Sequence, residues 1–337
     1  MLEPEKQPSL IVRDMKLVIR DDVHSLAGYA ASQVAAAINA AKKAGRPCVL
    51  GLPVGNTMLQ TYATLATMHK RGEVDFAHVV GFVLDEYCGV DVADARSHHH
   101  YIYANFASQV NIKRENLHVL DGGVDREAWA DECAAYEAKI AAAGGFDLVF
   151  CSTGGDGHVA RNEPGSSLKS RTRPKTLAHD TKSQLAERWK CPVGDVPSVA
   201  LTVGVGTIMG ARRVLVLFAS VHRAYALERC LEHGVNHMWF RRAETSTDAV
   251  GGLFGAAGWS RRRRGVDAAG AHRFPVSMLQ QHPRVTYACD EDATLELRVR
   301  TAKYFKSLPH REEMLGMPLP TAGKNGEEAP AAKRQKK

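Results

Sequence analysis

Phe146-Asp147-Leu148-Val149-Phe150-Cys151 runs directly into Ser152-Thr153-Gly154-Gly155-Asp156-Gly157-His158. An apolar stretch this short, broken only by Asp147, reads as a strand buried on both faces, as in a parallel sheet. The glycines that follow let the chain turn tightly and keep side-chain bulk away from a ligand. The same pattern recurs on both sides of it. Residues 16–20, 48–52, 78–84, 117–120, 213–219 and 284–289 read as further strands. Helical apolar spacing fills 22–43, 58–69, 98–110, 126–143, 224–232 and 293–305 between them. Strands alternating with helices predict an α/β domain that is Rossmann-like, with one mainly parallel sheet and helices on both faces. Such sheets bind ligands beyond the carboxyl ends of their strands. Three turns are therefore singled out: 55–57, 85–87 and 154–158.

The chain of 337 residues, 45% hydrophobic and 24% charged, is long enough to bury a sizeable core. Residues 16–308 are expected to form a single domain, preceded by an extension over 1–15. No apolar run approaches the roughly 20 residues of a membrane span, and Glu3, Glu5 and Lys6 interrupt any apolar leader. A cytoplasmic protein without a membrane partner is expected. Seven scattered cysteines, none in a C-x-x-C pair, suit free thiols and give no zinc-ligand spacing.

The formal charge of +7 belongs to two segments. Residues 241–274 set seven arginines against Glu244, Asp248 and Asp267. Residues 324–337 set five basic residues against Glu327 and Glu328. Between them they carry the whole excess, so the body of the chain has no basic signature. Short basic runs such as 261–264 and 333–337 are usually solvated or targeting segments, and nucleic acid is not an expected partner. The tail over 309–337 drifts into Pro, Gly, Lys and Glu and reads as disordered.

Each turn offers a different chemistry. Gly55-Asn56-Thr57 leads from a strand into a helix, where backbone N–H groups and the helix dipole favour a phosphate. Taken alone, it reads equally well as an ordinary turn with Thr57 capping the helix. Asp85 at a strand end can serve as a general base, although Asp85-Glu86 by itself reads more readily as a helix cap or loop charge. The third turn is the most informative. An imidazole is the side chain suited to moving a proton on and off a sugar oxygen near neutral pH, which singles out His158, while Asp156 or Glu163 could fix its tautomer. No G-x-S-x-G elbow supports a serine nucleophile, and 202–207 lacks the full dinucleotide fingerprint.

At these residues the chain resembles a known family. LDEYCGV (84–90), GGDGHVARNEP (154–164), SSLKSRTRPKTL (166–177), ALTVGVGTI (200–208), VNHMW (235–239) and CDEDATLELRVRTAKYF (289–305) occur in order. Together they are similar to glucosamine-6-phosphate deaminases, over about residues 16–307. The resemblance implies conversion of glucosamine 6-phosphate and water to fructose 6-phosphate and ammonia, with a sugar phosphate as ligand and no metal or organic cofactor. It places the base that shuttles a proton between C2 and C1 on Asp85, and the ring-opening histidine on His158, flanked by Asp156 and Glu163. It implies a homo-oligomer, hexameric in some members. Ser166, Arg173 and Lys175 match the activator site of those hexamers; a solvated basic strip is the alternative for Arg173 and Lys175. The 15-residue extension removes the N-terminal amine that this site uses in some members. A related lactonase acting on 6-phosphogluconolactone shares a G-x-x-x-D-G-H turn but lacks the DEY and NEP triplets.

The departures gather around phosphate holding. The family's L-P-[ST]-G-x-T-P turn is here Leu52-Pro53-Val54-Gly55-Asn56-Thr57-Met58. A phosphate-binding lysine falls on Arg223, and a phosphate-binding arginine falls on Glu187, with Arg188 adjacent. The usual aromatic before Asn-Glu-Pro is Arg161. An insert over 241–274 separates motifs that are continuous in the family, and reads either as a lineage-specific loop or as translated non-coding sequence. These departures leave open a second expectation, a sugar-phosphate binding protein with impaired catalysis.

Overall fold

The computed structural model describes residues 16–233, Val235 and 274–307. The extension, the tail and all of 241–274 except Phe274 lie outside the described residues. In chain order the elements are β1 (Lys16–Arg20), α1 (Val23–Lys43), β2 (Cys48–Leu52), α2 (Asn56–Lys70), β3 (Val79–Val83) and β4 (Asp85–Tyr87). Next come α3 (His98–Asn105), β5 (Leu117–His118), α4 (Trp129–Ala142), β6 (Leu148–Ser152), β7 (Arg173–Thr176), α5 (His179–Trp189) and β8 (Val199–Thr202). The chain continues through α6 (Val205–Met209), β9 (Val214–Phe218), α7 (Ala224–Glu232), α8 (Pro275–Met278), β10 (Val285–Asp290) and α9 (Val299–Ser307).

Seven strands form the expected parallel sheet, in the order β1-β10-β9-β6-β2-β3-β5. Its strands are apolar at consecutive positions because alternate side chains enter different cores. In β9, Val214, Val216 and Phe218 join one cluster with Tyr136 of α4 and Leu227 of α7. Leu215 and Leu217 join the other, with Leu26, Val34 and Ile38 of α1 and Tyr62 of α2. Cutting one such side chain to alanine costs about 2–5 kcal/mol.

Asp147, the polar residue in the opening stretch, lies at the sheet's opposite end from the three turns. Its carboxylate accepts both terminal nitrogens of Arg46 at 2.8 Å, the Val49 N–H at 2.9 Å and a bond from Arg212. Burial raises its pKa, but these donors outweigh burial and leave it below the ordinary aspartate value.

One feature was not expected. A second, antiparallel sheet β4-β8-β7 stands beyond the carboxyl end of β3. Residues 85–87, singled out as a turn, are strand; Thr202, at the head of the glycine-rich stretch 202–207, ends another strand, and the basic stretch 173–176 is strand too. Two helices are also shorter than the spacing predicts. The 98–110 helix ends at Asn105, and 293–305 divides into a 3-10 turn and α9.

Candidate active site

The turn after β2 is fixed from below by aromatic hydroxyls. Tyr62, wholly buried, donates to the Pro53 carbonyl at 2.7 Å, and Tyr101 donates to the Gly55 carbonyl at 2.8 Å. Gly55 caps α2 and no side chain bonds to the helix end, so Thr57 is not the cap. The positive end of the α2 dipole stands in a cavity wall formed by Gly55, Asn56 and Thr57.

The glycine turn after β6 is built around one histidine. His158 Nδ1 lies 2.6 Å from Asp156 Oδ1. A carboxylate only accepts, so Nδ1 donates and the neutral ring keeps Nε2 as a proton acceptor. Burial raises the Asp156 pKa, but the bond to His158, its charge and the backbone N–H groups of the turn together outweigh it and the net shift is downward. A Cβ on Gly154 would lie 2.2 Å from the His158 ring, so only glycine leaves room for the pair. Gly157, at φ +80°, faces the Phe274 ring, and a side chain there would collide with it. Glu163 does not reach the histidine. It is buried and its carboxylate accepts the Ala178 N–H at 2.9 and 3.1 Å, so Asp156 alone orients the ring.

Asp85 and Glu86 divide the two roles weighed for them. Glu86 reinforces the start of α3, whose N-cap is Ser97: it accepts Ser97 Oγ at 2.8 Å and the His98 and His99 N–H groups at 3.0 and 2.9 Å. That fixes α3 and brings buried His98 to Asp85, with Nδ1 3.2 Å from Asp85 Oδ2. Arg161 Nε donates to the same oxygen at 3.1 Å, and its Nη2 donates to the Tyr87 hydroxyl. Burial raises the Asp85 pKa, yet His98 and Arg161 carry it below the ordinary value. His98 had no signal in the sequence beyond a run of three histidines after Ser97.

The three turns converge. A cavity of about 150 Å³ is lined by Gly55, Asn56, Thr57, Gly154, Gly155, His158, Arg161, Arg188 and Arg223, among others. Thr181, Gln184, Leu185 and Arg188 share the inward face of α5. Helical spacing therefore turns Arg188, and not Glu187, toward the cavity. Arg223 is half-buried and its Nε is buried without a hydrogen-bond partner. Burial pulls its pKa down against the opposing pull of Asp156. A buried donor of this kind fits an anion. Asp85 itself does not line the cavity, because Arg161 stands in the wall with Asp85 bound to it.

Ser166 and Arg173 lie together, with Arg173 donating to Ser166 Oγ at 3.2 Å and to Asn162 Oδ1 at 2.9 Å. Lys175 follows two residues along β7. Because Asn162 is wholly buried in the histidine loop, Arg173 is tied directly to that loop and is not a solvated strip residue.

Known proteins share this architecture. Residues 21–249 match the family of glucosamine-6-phosphate isomerases and 6-phosphogluconolactonases. The chain is 42% identical over 307 residues to glucosamine-6-phosphate deaminase 2 of Bos taurus, covering 90% of this chain and 98% of that one. It is 44% identical over 260 residues to glucosamine-6-phosphate deaminase 1 of Homo sapiens, 77% of each chain. A solved monomeric glucosamine-6-phosphate deaminase superposes with a TM-score of 0.69 at 28% identity, over 84% of this chain and 100% of that one. The 6-phosphogluconolactonase of Trypanosoma cruzi shares the fold at 18% identity and a TM-score of 0.58, over 84% and 97% of the chains. By profile, identity and fold, the chain belongs to the family of glucosamine-6-phosphate isomerases and 6-phosphogluconolactonases.

Proposed function

We propose that this chain is a glucosamine-6-phosphate deaminase, releasing ammonia and fructose 6-phosphate from glucosamine 6-phosphate and water. The observation that carries the reading is Arg161, which shares a cavity wall with His158 while bonding Asp85, so acid and base stand at one site. The high identity to deaminases, against fold likeness alone to lactonases, supports deamination over lactone hydrolysis.

The phosphate sits at the start of α2, against Arg223 and Arg188. His158, with Nδ1 held by Asp156, takes the proton of the sugar's O1 through Nε2 and returns it to the ring oxygen, opening the ring. Asp85 then removes the C2 proton and delivers it to C1 while a proton passes from the amino nitrogen to O1, so that C1 becomes an alcohol and C2 an imine. Water adds to that carbon and ammonia leaves. Glu163 supports the histidine loop through Ala178 and does not touch the dyad.

A coupled assay for ammonia release from glucosamine 6-phosphate tests this. Release at millimolar substrate is expected; its absence defeats the reading. The Arg161–Asp85 ion pair favours one second reading, a sugar-phosphate binding protein in which the base stays occupied. Sugar-phosphate binding without turnover would establish it.

The reading extends to a cytoplasmic homo-oligomer, hexameric by resemblance, with Ser166, Arg173 and Lys175 receiving a phosphorylated activator. Sedimentation of the purified chain decides the assembly, and a response to N-acetylglucosamine 6-phosphate decides the activator. Among the described residues, no helix is long and apolar enough to cross a membrane.

A further inference from the structure

We infer that Arg161 is a positioning residue that holds the Asp85 carboxylate behind the cavity wall and sets how readily it accepts a proton. The inference rests on the reading of Asp85 as the base.

Four contacts fix the Arg161 side chain and backbone. Nε donates to Asp85 Oδ2 at 3.1 Å and Nη2 donates to the Tyr87 hydroxyl. The guanidinium stacks on the Tyr87 ring at 4.9 Å, a cation–π distance. The backbone N–H donates to Thr202 Oγ1 at 3.1 Å. Ala160, at φ +51°, makes the reversal that turns residue 161 back onto β4 and β8. The side chain is 13% exposed and its partner Asp85 6%. An ion pair this enclosed is screened little by salt.

The carboxylate faces charge from several elements. His98 reaches it from α3, and Arg161 and His158 from the loop after β6. Tyr87 neighbours it on its own strand and Tyr136 on α4. Arg161 is the one among them that stays cationic across the accessible pH range. An aromatic residue at 161 would fill the same wall without charge. With arginine there, Asp85 gives up proton affinity, which trades basic strength for ionisation at lower pH. The sugar must also meet a guanidinium before it meets the base.

The test is a carbon-13 titration of the full chain labelled at aspartate Cγ, with the Asp85 signal identified by its loss in Asp85→Asn. Arg161→Phe and Arg161→Gln are each expected to raise the Asp85 midpoint by about one pH unit or more. Arg161→Lys should keep it near the native value. Unchanged midpoints in the neutral variants overturn the inference. If neither neutral variant folds, the native chain alone decides. A native Asp85 midpoint clearly below the ordinary aspartate value of about 3.9 supports it, and one at or above that value overturns it. None of these readings uses turnover, so failure of the ammonia assay is a separate result.

Discussion

His98 addresses Asp85 twice, with Nδ1 2.7 Å from its main-chain oxygen and 3.2 Å from Oδ2. One imidazole thus fixes both the strand end and the carboxylate it carries. Glu86, next along the chain, makes this possible by reinforcing the start of α3, so adjacent acids perform structural and chemical tasks through one helix.

This pair gives stability a defined pH dependence. Burial lowers the His98 pKa, but Asp85 and Glu86 outweigh it and the net shift is upward from 6.5. Its contribution is therefore complete below pH 6.5 and is lost as pH rises through the raised value. Asp85, shifted downward, contributes above about pH 3.9 and loses that as pH falls through its lowered value. Thermal melts of the native chain should weaken from neutral toward alkaline pH. His98→Gln should be less stable near neutrality and lack that alkaline decline. Parallel curves for the two proteins would refute the assignment.

Asp85→Asn removes the proton acceptor while keeping a similar shape beside His98 and Arg161. Turnover should fall by roughly 10²–10⁴-fold, with KM changed much less, because the loss is confined to the transition state. Steady-state kinetics with ammonia detection reads both constants. A loss residing mainly in KM would assign Asp85 to binding.

Asp156→Asn tests the histidine dyad without touching the base. The variant still bonds Nδ1 but no longer stabilises the imidazolium, and ring opening should slow by about 10²–10⁴-fold. Acyclic substrate analogues should be spared. Equal losses on cyclic and acyclic compounds would mean that the dyad does not serve ring opening.

Much of this was legible in the sequence, and the misses share a cause. β6 and β9 declare themselves because both faces are buried and, Ser152 at the end of β6 aside, every position is apolar. β7 cannot, since Arg173-Pro174-Lys175-Thr176 carries no apolar pattern and exists through pairing with β8. β4 has three residues, and only Thr202, Leu201 and Ala200 opposite them make it a strand. The same holds at the site. Asp85 ends an apolar run, and Asp156 and His158 stand in a glycine turn, so local sequence marks all three. The choice of Arg188 over Glu187 needs the face of α5, and His98 needs the helix start that Glu86 reinforces. The sequence marks residue 161 as unusual, but the ion pair with Asp85 follows from where β3, β8 and the histidine loop meet.

Arg223 is the clearest remaining test of phosphate holding. Its Nε is buried with no acceptor, and its Nη1 reaches only the His222 carbonyl at 3.3 Å among the bonds described. A buried donor left unmatched costs about 1–3 kcal/mol, and that cost is recovered when an anion binds. Arg223→Met keeps the volume and apolar stem while deleting charge and donors. Two consequences of opposite sign follow. The free protein should melt no lower than the native chain, because the orphaned donor has gone. Affinity for sugar phosphate should drop about 10- to 100-fold, as one charge-assisted bond of roughly 1.5–3 kcal/mol disappears. Arg223→Lys restores charge without the planar fork and should recover part of the affinity. Calorimetric titration with fructose 6-phosphate separates these outcomes. Undiminished affinity in the methionine variant would move the phosphate away from Arg223, leaving Arg188 and the start of α2 to hold it.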